Sequence, residues 1–296
     1  LPEGVNPKLA EFSLNYALQE DDRFDEVGPA GQVLWCLRRL EPQEVREIPL
    51  YLEYDPIQYD RTALDPQMLD LEAHLDDELS EISLPTNPNL KEVTISLIFP
   101  HLRAGTLPLS GRVKSLFPTA YESPRVRFTL VDGRTKKKMP GWVVREHGYV
   151  YGLREWYKAN ELMPGSLVRI QRGEQPGEVI IEAKTYRATK DWIRTVIVGA
   201  DGGLVFAMLK QPISAEFNDR MAFAIPSMDA VDQLWLQNKR PFEKLVGDMI
   251  REMSKLTPQG HVHAQELYSA VNVVRRVPPG PLLALLASKP EFVPVG

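Results

Sequence analysis

Between residues 91 and 190, apolar and polar positions alternate or gather into short apolar runs. The runs are rich in β-branched and aromatic residues and are separated by Gly, Pro, Asp or Asn, which is typical of strands joined by turns. They are EVTISLIF, RVRFTLVD, GWVVRE, GYVYGL, SLVRIQRG and EVIIEAKTY. LREWYKANELMPG instead has helical spacing and ends at Pro164-Gly165, where a helix stops. The pattern predicts about seven strands and one helix in a small closed or half-closed barrel.

In the C-terminal third of the chain, the spacing of apolar residues changes from that of strands to that of helices. Residues 191–238 begin with two apolar runs around GADGG, which predict a hairpin in a β-rich connector. PFEKLVGDMIREMSKL follows as an amphipathic helix, and TPQGHVHAQELYSAVNVVRR predicts a turn and a second helix. PPGPLLALLAS begins a third helix with prolines near its start. Three helices and a final EFVPVG predict a truncated winged helix-turn-helix over residues 239–296.

A short repeat links the two ends of the chain. ALQEDDRFDEVG (17–28) aligns without gaps with LLASKPEFVPVG (285–296), and each copy follows an apolar helix. We therefore predict that residues 1–40 are the back half of a winged-helix-like module. On this interpretation Phe24 and Phe292 occupy equivalent buried positions, and each helix leads into an extended hairpin strand.

Residues 41–90 are acidic and contain one amphipathic helix near 66–83, which predicts a solvated linker between modules. The predicted fold class is therefore α+β and multidomain, with a central β pseudobarrel and winged-helix-like modules at both ends. The predicted units are 1–40, 41–90, 91–190, 191–238 and 239–296.

Charge is distributed unevenly along the 296 residues, whose formal net charge is −5. Residues 1–90 hold 6 lysines and arginines against 20 acidic residues, residues 91–190 hold 18 against 9, and the remainder hold 11 against 11. Such asymmetry is typical of a nucleic-acid-facing segment beside an acidic one, although charge blocks are also common on solvated faces.

Several classes of protein fit the sequence poorly. Its single cysteine, Cys36, excludes a disulfide framework and a cysteine-based zinc cluster. No apolar run approaches the roughly 20 residues that span a bilayer, and the first residues do not resemble a secretory leader. We expect a cytoplasmic protein with no membrane partner, no cofactor and no metal. Because the chain begins without Met, we also expect additional domains of a longer protein.

The order of motifs within residues 110–185 resembles the B3-type DNA-binding pseudobarrel. The matching elements are Asp132-Gly133, Trp142 with Arg145, Tyr149 to Leu153, Trp156-Tyr157, and Leu162 to Gly165 with Val168 and Arg172. RTKKKMP is an insertion where that family usually has a tight turn. The flanking segments, DDRFDEVG with VLWCL and LTPQGHVHAQELYSAVNVVRR, resemble winged helices of the HARE type.

The resemblance implies that two arms grip the major groove of duplex DNA. LSGRVKSLFP would be the first arm and DGRTKKKMPGWVVRE the second. Lysines would meet phosphates, whereas Arg145, on a strand beside Trp142, would read a base. The candidate DNA-binding residues are Arg112, Lys114, Arg125, Arg127, Arg134, Lys136, Lys137, Lys138, Arg145, Tyr149, Tyr151, Arg275 and Arg276. The predicted function is duplex DNA binding without catalysis, as in transcription regulation or as the targeting region of a regulatory or restriction/modification-type protein.

Three alternatives stay open from the sequence. A magnesium-dependent nuclease would use Asp132, Glu182 and Lys184, because Glu-x-Lys at the end of an apolar strand can hold Mg²⁺ and orient water. His261, His263 and Glu266 lie close enough for a zinc site, but a helix-capping histidine is the simpler interpretation. The third alternative is a protein-interaction scaffold.

Overall fold

The computed structural model describes residues 6–82, 87, 89–120, 123–199, 202–237 and 240–294. It is an α+β structure in which a curled seven-stranded sheet forms a central half-barrel, with helices at both ends. The predicted fold class is confirmed at this level. No described helix is long and apolar enough to cross a membrane.

The N-terminal module is a helix followed by a hairpin. Its elements are α1 (Pro7–Gln19), β1 (Phe24–Glu26) and the antiparallel β2 (Trp35–Leu37). Asn6 caps α1 by accepting a hydrogen bond from the backbone N–H of Lys8 at 3.0 Å, and the indole of Trp35 donates to Asn15 at 3.0 Å. No residue of α1 is buried, so this helix adds little to any core.

The acidic segment is packed, which differs from the predicted solvated linker. It contains α2 (Gln43–Arg46) and α3 (Pro66–Leu75), and α3 ends at Asp76 with a left-handed φ of 48°. Val45 and Leu52 are buried against Trp142 of the sheet, and Leu64 is buried against the C-terminal helices. Apolar residues along the acidic segment therefore pack it against the sheet and the C-terminal helices.

Seven strands form one mixed sheet. They are β3 (Glu92–Ser96), β4 (Thr106–Pro108), β5 (Arg125–Asp132), β6 (Lys138–Val144), β7 (Tyr149–Tyr151), β8 (Leu167–Arg172) and β9 (Glu178–Glu182). Their order across the sheet is β3-β8-β9-β5-β6-β7-β4, so β3 and β4 lie at the two open edges, and all neighbouring pairs are antiparallel except β5 with β9. Two short helices, α4 (Phe99–Ala104) and α5 (Arg154–Ala159), pack at its ends.

The half-barrel interior is filled by alternate strand residues. On β8, Val168 and Ile170 are fully buried whereas Arg169 between them is exposed, as expected when side chains alternate across a sheet. Trp156 and Tyr157 of α5 close the same core. The short helix predicted here is present.

A two-stranded ribbon and four helices complete the described fold. The ribbon pairs β10 (Thr185–Val198) with β11 (Leu204–Ala215). The helices are α6 (Met228–Gln237), α7 (Phe242–Met253), α8 (Ala264–Val271) and α9 (Pro279–Ser288). Single turns of 3-10 helix lie at Arg38–Leu40, Leu50–Leu52, Arg61–Ala63, Lys114–Leu116 and Ser254–Leu256.

The ribbon and the C-terminal helices share one core. Val196 and Phe206 of the ribbon pack with residues of α7 and α8, and Phe99 of α4 joins them. The half-barrel meets this part at Gly165, whose φ is +90° and whose added Cβ would lie 2.4 Å from the Ala222 Cα. The predicted connector and C-terminal module are thus one packed unit.

Two details differ from the sequence prediction. EVIIEAKTY is not one strand, because β9 ends at Glu182 and β10 begins at Thr185. The terminal repeat does not give matching structures: Phe24 lies in a strand, whereas residues 289–294 include none, and both phenylalanines are half-buried. Pro290 and Pro294 in the second copy lack the N–H groups that a strand ladder needs. Residues 295 and 296 lie outside the described part.

Candidate nucleic-acid interface

The turn between β5 and β6 is held in one conformation by Asp132, the last residue of β5. Its Oδ1 accepts hydrogen bonds from the backbone N–H groups of Arg134 at 2.8 Å and Thr135 at 3.0 Å. Its own N–H donates to the carbonyl of Lys137 at 2.9 Å, and its carbonyl accepts from the N–H of Lys136 at 2.8 Å. Lys136 has a left-handed φ of 61°. We call residues 132–138 the basic turn.

Trp156 anchors the basic turn to the end of the half-barrel. Its indole Nε1–H donates to Asp132 Oδ2 at 3.1 Å, and the ring is 4% exposed. Burial alone would raise the pKa of Asp132, but the hydrogen bonds from Thr135, Arg134 and Trp156 outweigh burial and lower it. The carboxylate is therefore charged at neutral pH and acts as the structural centre of the turn.

The cationic side chains of the basic turn are exposed to solvent. Lys136 and Lys137 are exposed, and within the described ranges neither ammonium has an ion-pair partner. Arg134 is also exposed, and its guanidinium donates to neutral groups, Thr185 Oγ1 at 2.8 Å and Asn160 Oδ1 at 3.4 Å. Lys138 differs, because its ammonium lies 2.5 Å from a carboxylate oxygen of Glu178. Three of the four cations therefore keep their charge available to an external anion.

The residues proposed for the first arm are only partly available. Lys114 is exposed at the start of a 3-10 turn. Arg112 is exposed as well, but its guanidinium donates to the carbonyl of Ala73 and its backbone N–H to Asp76 at 3.2 Å. The acidic segment therefore holds Arg112 against the half-barrel.

Four of the predicted DNA-binding residues, on the sheet or directly after one of its strands, contact other parts of the protein. Arg125 pairs with Glu41 at 2.5 Å and with Asp25 at 3.5 Å. Tyr149 is 1% exposed and its hydroxyl donates to the carbonyl of Glu44 at 2.6 Å. Tyr151 packs against the same cluster, and the guanidinium of Arg145 donates to the carbonyl of Ala120.

Arg127, Arg275 and Arg276 have three different surroundings. Arg127 is exposed, with its guanidinium 6.0 Å from the centre of the Trp142 ring. Arg275 is half-buried over Phe242 and donates to the carbonyl of Arg240 at 3.3 Å. Arg276 is 1% exposed, so it has no surface to offer to a duplex.

Arg276 is the centre of a buried ionic cluster that sequence reasoning missed. Its guanidinium lies 2.5 Å from Asp77 and 2.8 Å from Glu78. Tyr268 donates to Asp77 at 2.5 Å, and Glu78 lies 3.1 Å from His101 Nε2. We call these five residues the buried junction. The acidic run LDDELSE was the only sequence signal for it, and the partners lie on distant parts of the chain.

Within the buried junction, Glu78 and Arg276 keep their charges despite burial. Burial by itself would raise the pKa of Glu78, but Arg276 and His101 reverse this and hold it below its usual range. Burial would likewise lower the pKa of Arg276, yet Asp77 and Glu78 raise it instead. The junction therefore ties the acidic segment, α4 and the C-terminal helices together.

The residues of the two metal alternatives have structural roles. Both Asp132 oxygens accept hydrogen bonds within the protein, Glu182 lies 3.6 Å from Arg169, and Lys184 pairs with Glu216 at 3.3 Å. His263 caps α8, because its Nδ1 accepts from the backbone N–H of Gln265 at 3.1 Å. Across the described ranges, no group of three or more His, Cys, Asp or Glu side chains is arranged to hold a metal ion.

Comparison with known proteins gives no relative: no family model, curated protein or solved structure matches the chain. The curled half-barrel is loosely compatible with a pseudobarrel. The resemblance to the B3-type pseudobarrel therefore rests on the sequence motifs and on this coarse agreement in fold, whereas the resemblance to HARE-type modules rests on sequence motifs alone.

Proposed function

We propose that this chain binds duplex DNA and places the basic turn on the phosphate backbone. The observation that carries the proposal is a rigid turn with three cations, Arg134, Lys136 and Lys137, that no carboxylate of the described chain neutralises. Lysine and arginine bind phosphates and release counterions. A turn already fixed by Asp132 and Trp156 loses little conformational freedom on binding.

The B3-like order of motifs supports a major-groove mode in which the basic turn is the second arm. In the first arm, Lys114 and Arg112 are both exposed, but the guanidinium of Arg112 is hydrogen-bonded to the carbonyl of Ala73. Base reading by Arg145 requires its guanidinium to leave the carbonyl of Ala120, whereas Arg127 is already exposed. The biological role that fits is a DNA-binding regulator or the DNA-targeting region of a larger regulatory or restriction/modification-type protein.

Binding of the wild-type chain to a random-sequence duplex tests the proposal. Fluorescence anisotropy across a salt series should give a linear fall of log K with log salt. If only the three cations of the basic turn neutralise phosphates, the slope of log K against log salt should be about −2.7, since each neutralised phosphate contributes about −0.9. Lack of duplex binding at low salt would contradict the proposal. Tighter binding to single strands of the same composition would contradict its duplex form.

The exposed apolar face of α1 favours one second candidate, a protein-interaction scaffold. Leu9, Phe12 and Tyr16 are 63%, 68% and 58% exposed at helical spacing. Large exposed apolar patches mark interaction sites. Sedimentation of the wild type and of Phe12→Ser distinguishes the candidates: self-association that Phe12→Ser abolishes, in a protein that binds no duplex, favours the scaffold.

A further inference from the structure

The β10–β11 ribbon has an exposed middle section between two buried ends. At one end, Val196 and Phe206 are buried in the core of the C-terminal helices. At the other end, Ile213 and Ala215 are buried. Between them, all seven residues from 186 to 192 are exposed, together with most of 208–212 on the opposite strand. We call this stretch, 186–192 with 208–212, the open ribbon.

A bulge produces part of this exposure. Thr185 pairs with Ala215 and Thr189 with Ile213, so four steps along β10 match only two along β11. The extra residues bend the strand outward and include Arg187, while Tyr186 is tied back by a hydrogen bond from its hydroxyl to the Ala215 carbonyl at 3.0 Å. The bulge thus places Arg187 in solvent.

An exposed tryptophan lies among the cations of the open ribbon. Trp192 is 59% exposed, and the ammonium of Lys210, its partner across the ribbon, lies 5.5 Å from its ring centre. Lys190 is exposed two residues earlier. The acidic residue of the stretch, Asp191, has its Oδ1 bonded to the backbone N–H of Trp192 at 2.8 Å. The cations can neutralise backbone phosphates, and the tryptophan ring beside them offers a flat surface that can pack against the sugars.

The open ribbon continues directly from the basic turn. Arg134 of the turn donates to Thr185 Oγ1, the first residue of β10, at 2.8 Å. On the regular strand β11, the partners of Thr185 and Trp192 are Ala215 and Lys210, five steps apart, which extend about 17 Å at roughly 3.3 Å per residue. Laid along a duplex, that length covers about five base pairs, since phosphates on one strand recur every 3.4 Å or so.

We propose that the open ribbon is a second contact surface for the same duplex. In this arrangement Arg187, Lys190 and Lys210 meet phosphates beyond the basic turn, and Trp192 lies against the sugar-phosphate backbone. The inference rests on the proposed DNA binding of the half-barrel, which it extends along the duplex.

Two measurements on the full chain test it. The variant Arg187→Ala/Lys190→Ala/Lys210→Ala should reduce the salt slope of duplex binding by about 2.7, at about 0.9 per phosphate. Its matched control, Lys244→Ala/Arg251→Ala/Lys255→Ala, removes equal charge from the exposed face of α7 and the turn that follows it, and should leave the slope unchanged. Duplex should also protect Trp192 from acrylamide quenching, with Trp192→Phe as the reference that isolates its emission.

Failure of this inference is distinguishable from failure of the proposed function. If Lys136→Ala/Lys137→Ala weakens binding but the ribbon variant behaves like its control, the ribbon inference is overturned and DNA binding stands. If the wild type binds no duplex, both are overturned. Protection of Trp192 by single strands alone, or by raising the protein concentration without DNA, also overturns the inference, because the ribbon then meets another partner.

Discussion

The basic turn and the buried junction use the same residue types in opposite ways. The turn displays Arg134, Lys136 and Lys137 in solvent without carboxylate partners in the described chain, whereas Arg276 is enclosed by Asp77 and Glu78. The sequence alone predicted DNA contacts for Arg276 as well as for the cations of the turn. The difference lies in the partners that the fold supplies: carboxylates of the acidic segment pair with Arg125 and Arg276, whereas no carboxylate of the described chain pairs with the three cations of the turn.

Removing Arg276 should have the largest effect on stability. Arg276→Ala leaves Asp77 and Glu78 buried without their main partner, and breaking a buried pair typically costs about 3–5 kcal/mol. The neighbouring Arg275→Ala, a half-buried arginine without an ion pair among the described residues, is the matched control and should cost less than about 1 kcal/mol. Denaturant unfolding measures both. Equal losses of stability would mean that the junction does not hold the fold together.

Removing the charge of Asp132 should have a smaller, pH-dependent effect. Asp132→Asn keeps one acceptor for the turn but loses the charged acceptor of the Trp156 indole, which costs about 1–3 kcal/mol. Because the folded pKa of Asp132 lies below the ordinary 3.8, its contribution is present above that value and is lost as pH falls further. Stability curves of the two proteins should therefore converge in acid.

A difference between wild type and Asp132→Asn that stays constant through acid would contradict the role of the carboxylate charge. Asp70→Asn on α3 is the control, since Asp70 is exposed and no hydrogen bond of the described chain involves its side chain. It should change stability by no more than about 0.5 kcal/mol at any pH.

Releasing Lys138 from its ion pair should have the smallest effect, a small change in duplex binding. It compares a paired cation with Lys136 of the same turn, which pairs with no carboxylate of the described chain. Glu178→Gln releases the ammonium that lies 2.5 Å from the carboxylate, so duplex binding should strengthen slightly and the salt slope should steepen by up to about 0.9. Lys138→Ala should weaken binding less than Lys136→Ala does, and anisotropy titrations measure all three. If Lys138→Ala weakens binding more, pairing does not determine availability.

Local patterns predicted much of the fold, because strand alternation and helix amphipathicity are encoded within a few residues. The basic turn was also visible, as a lysine run between two predicted strands. The partners of Arg276, Tyr149 and Arg125 were not, since they lie 199, 105 and 84 residues away along the chain. No local pattern indicates such pairings. The hairpin around GADGG was predicted and is present, but its extension through residues 186–191 was missed, because Tyr186 was assigned to the preceding strand and residues 187–190 to no strand.

The most direct test is the salt slope of duplex binding for Lys136→Ala/Lys137→Ala against Lys244→Ala/Lys255→Ala, which removes two lysines from α7 and the turn that follows it. The proposed interface predicts that the first variant binds every duplex more weakly, with a slope about 1.8 smaller in magnitude, because each phosphate that is no longer neutralised removes about 0.9. The second variant should match the wild type. Equal slopes for both variants and the wild type would show that the basic turn does not bind DNA.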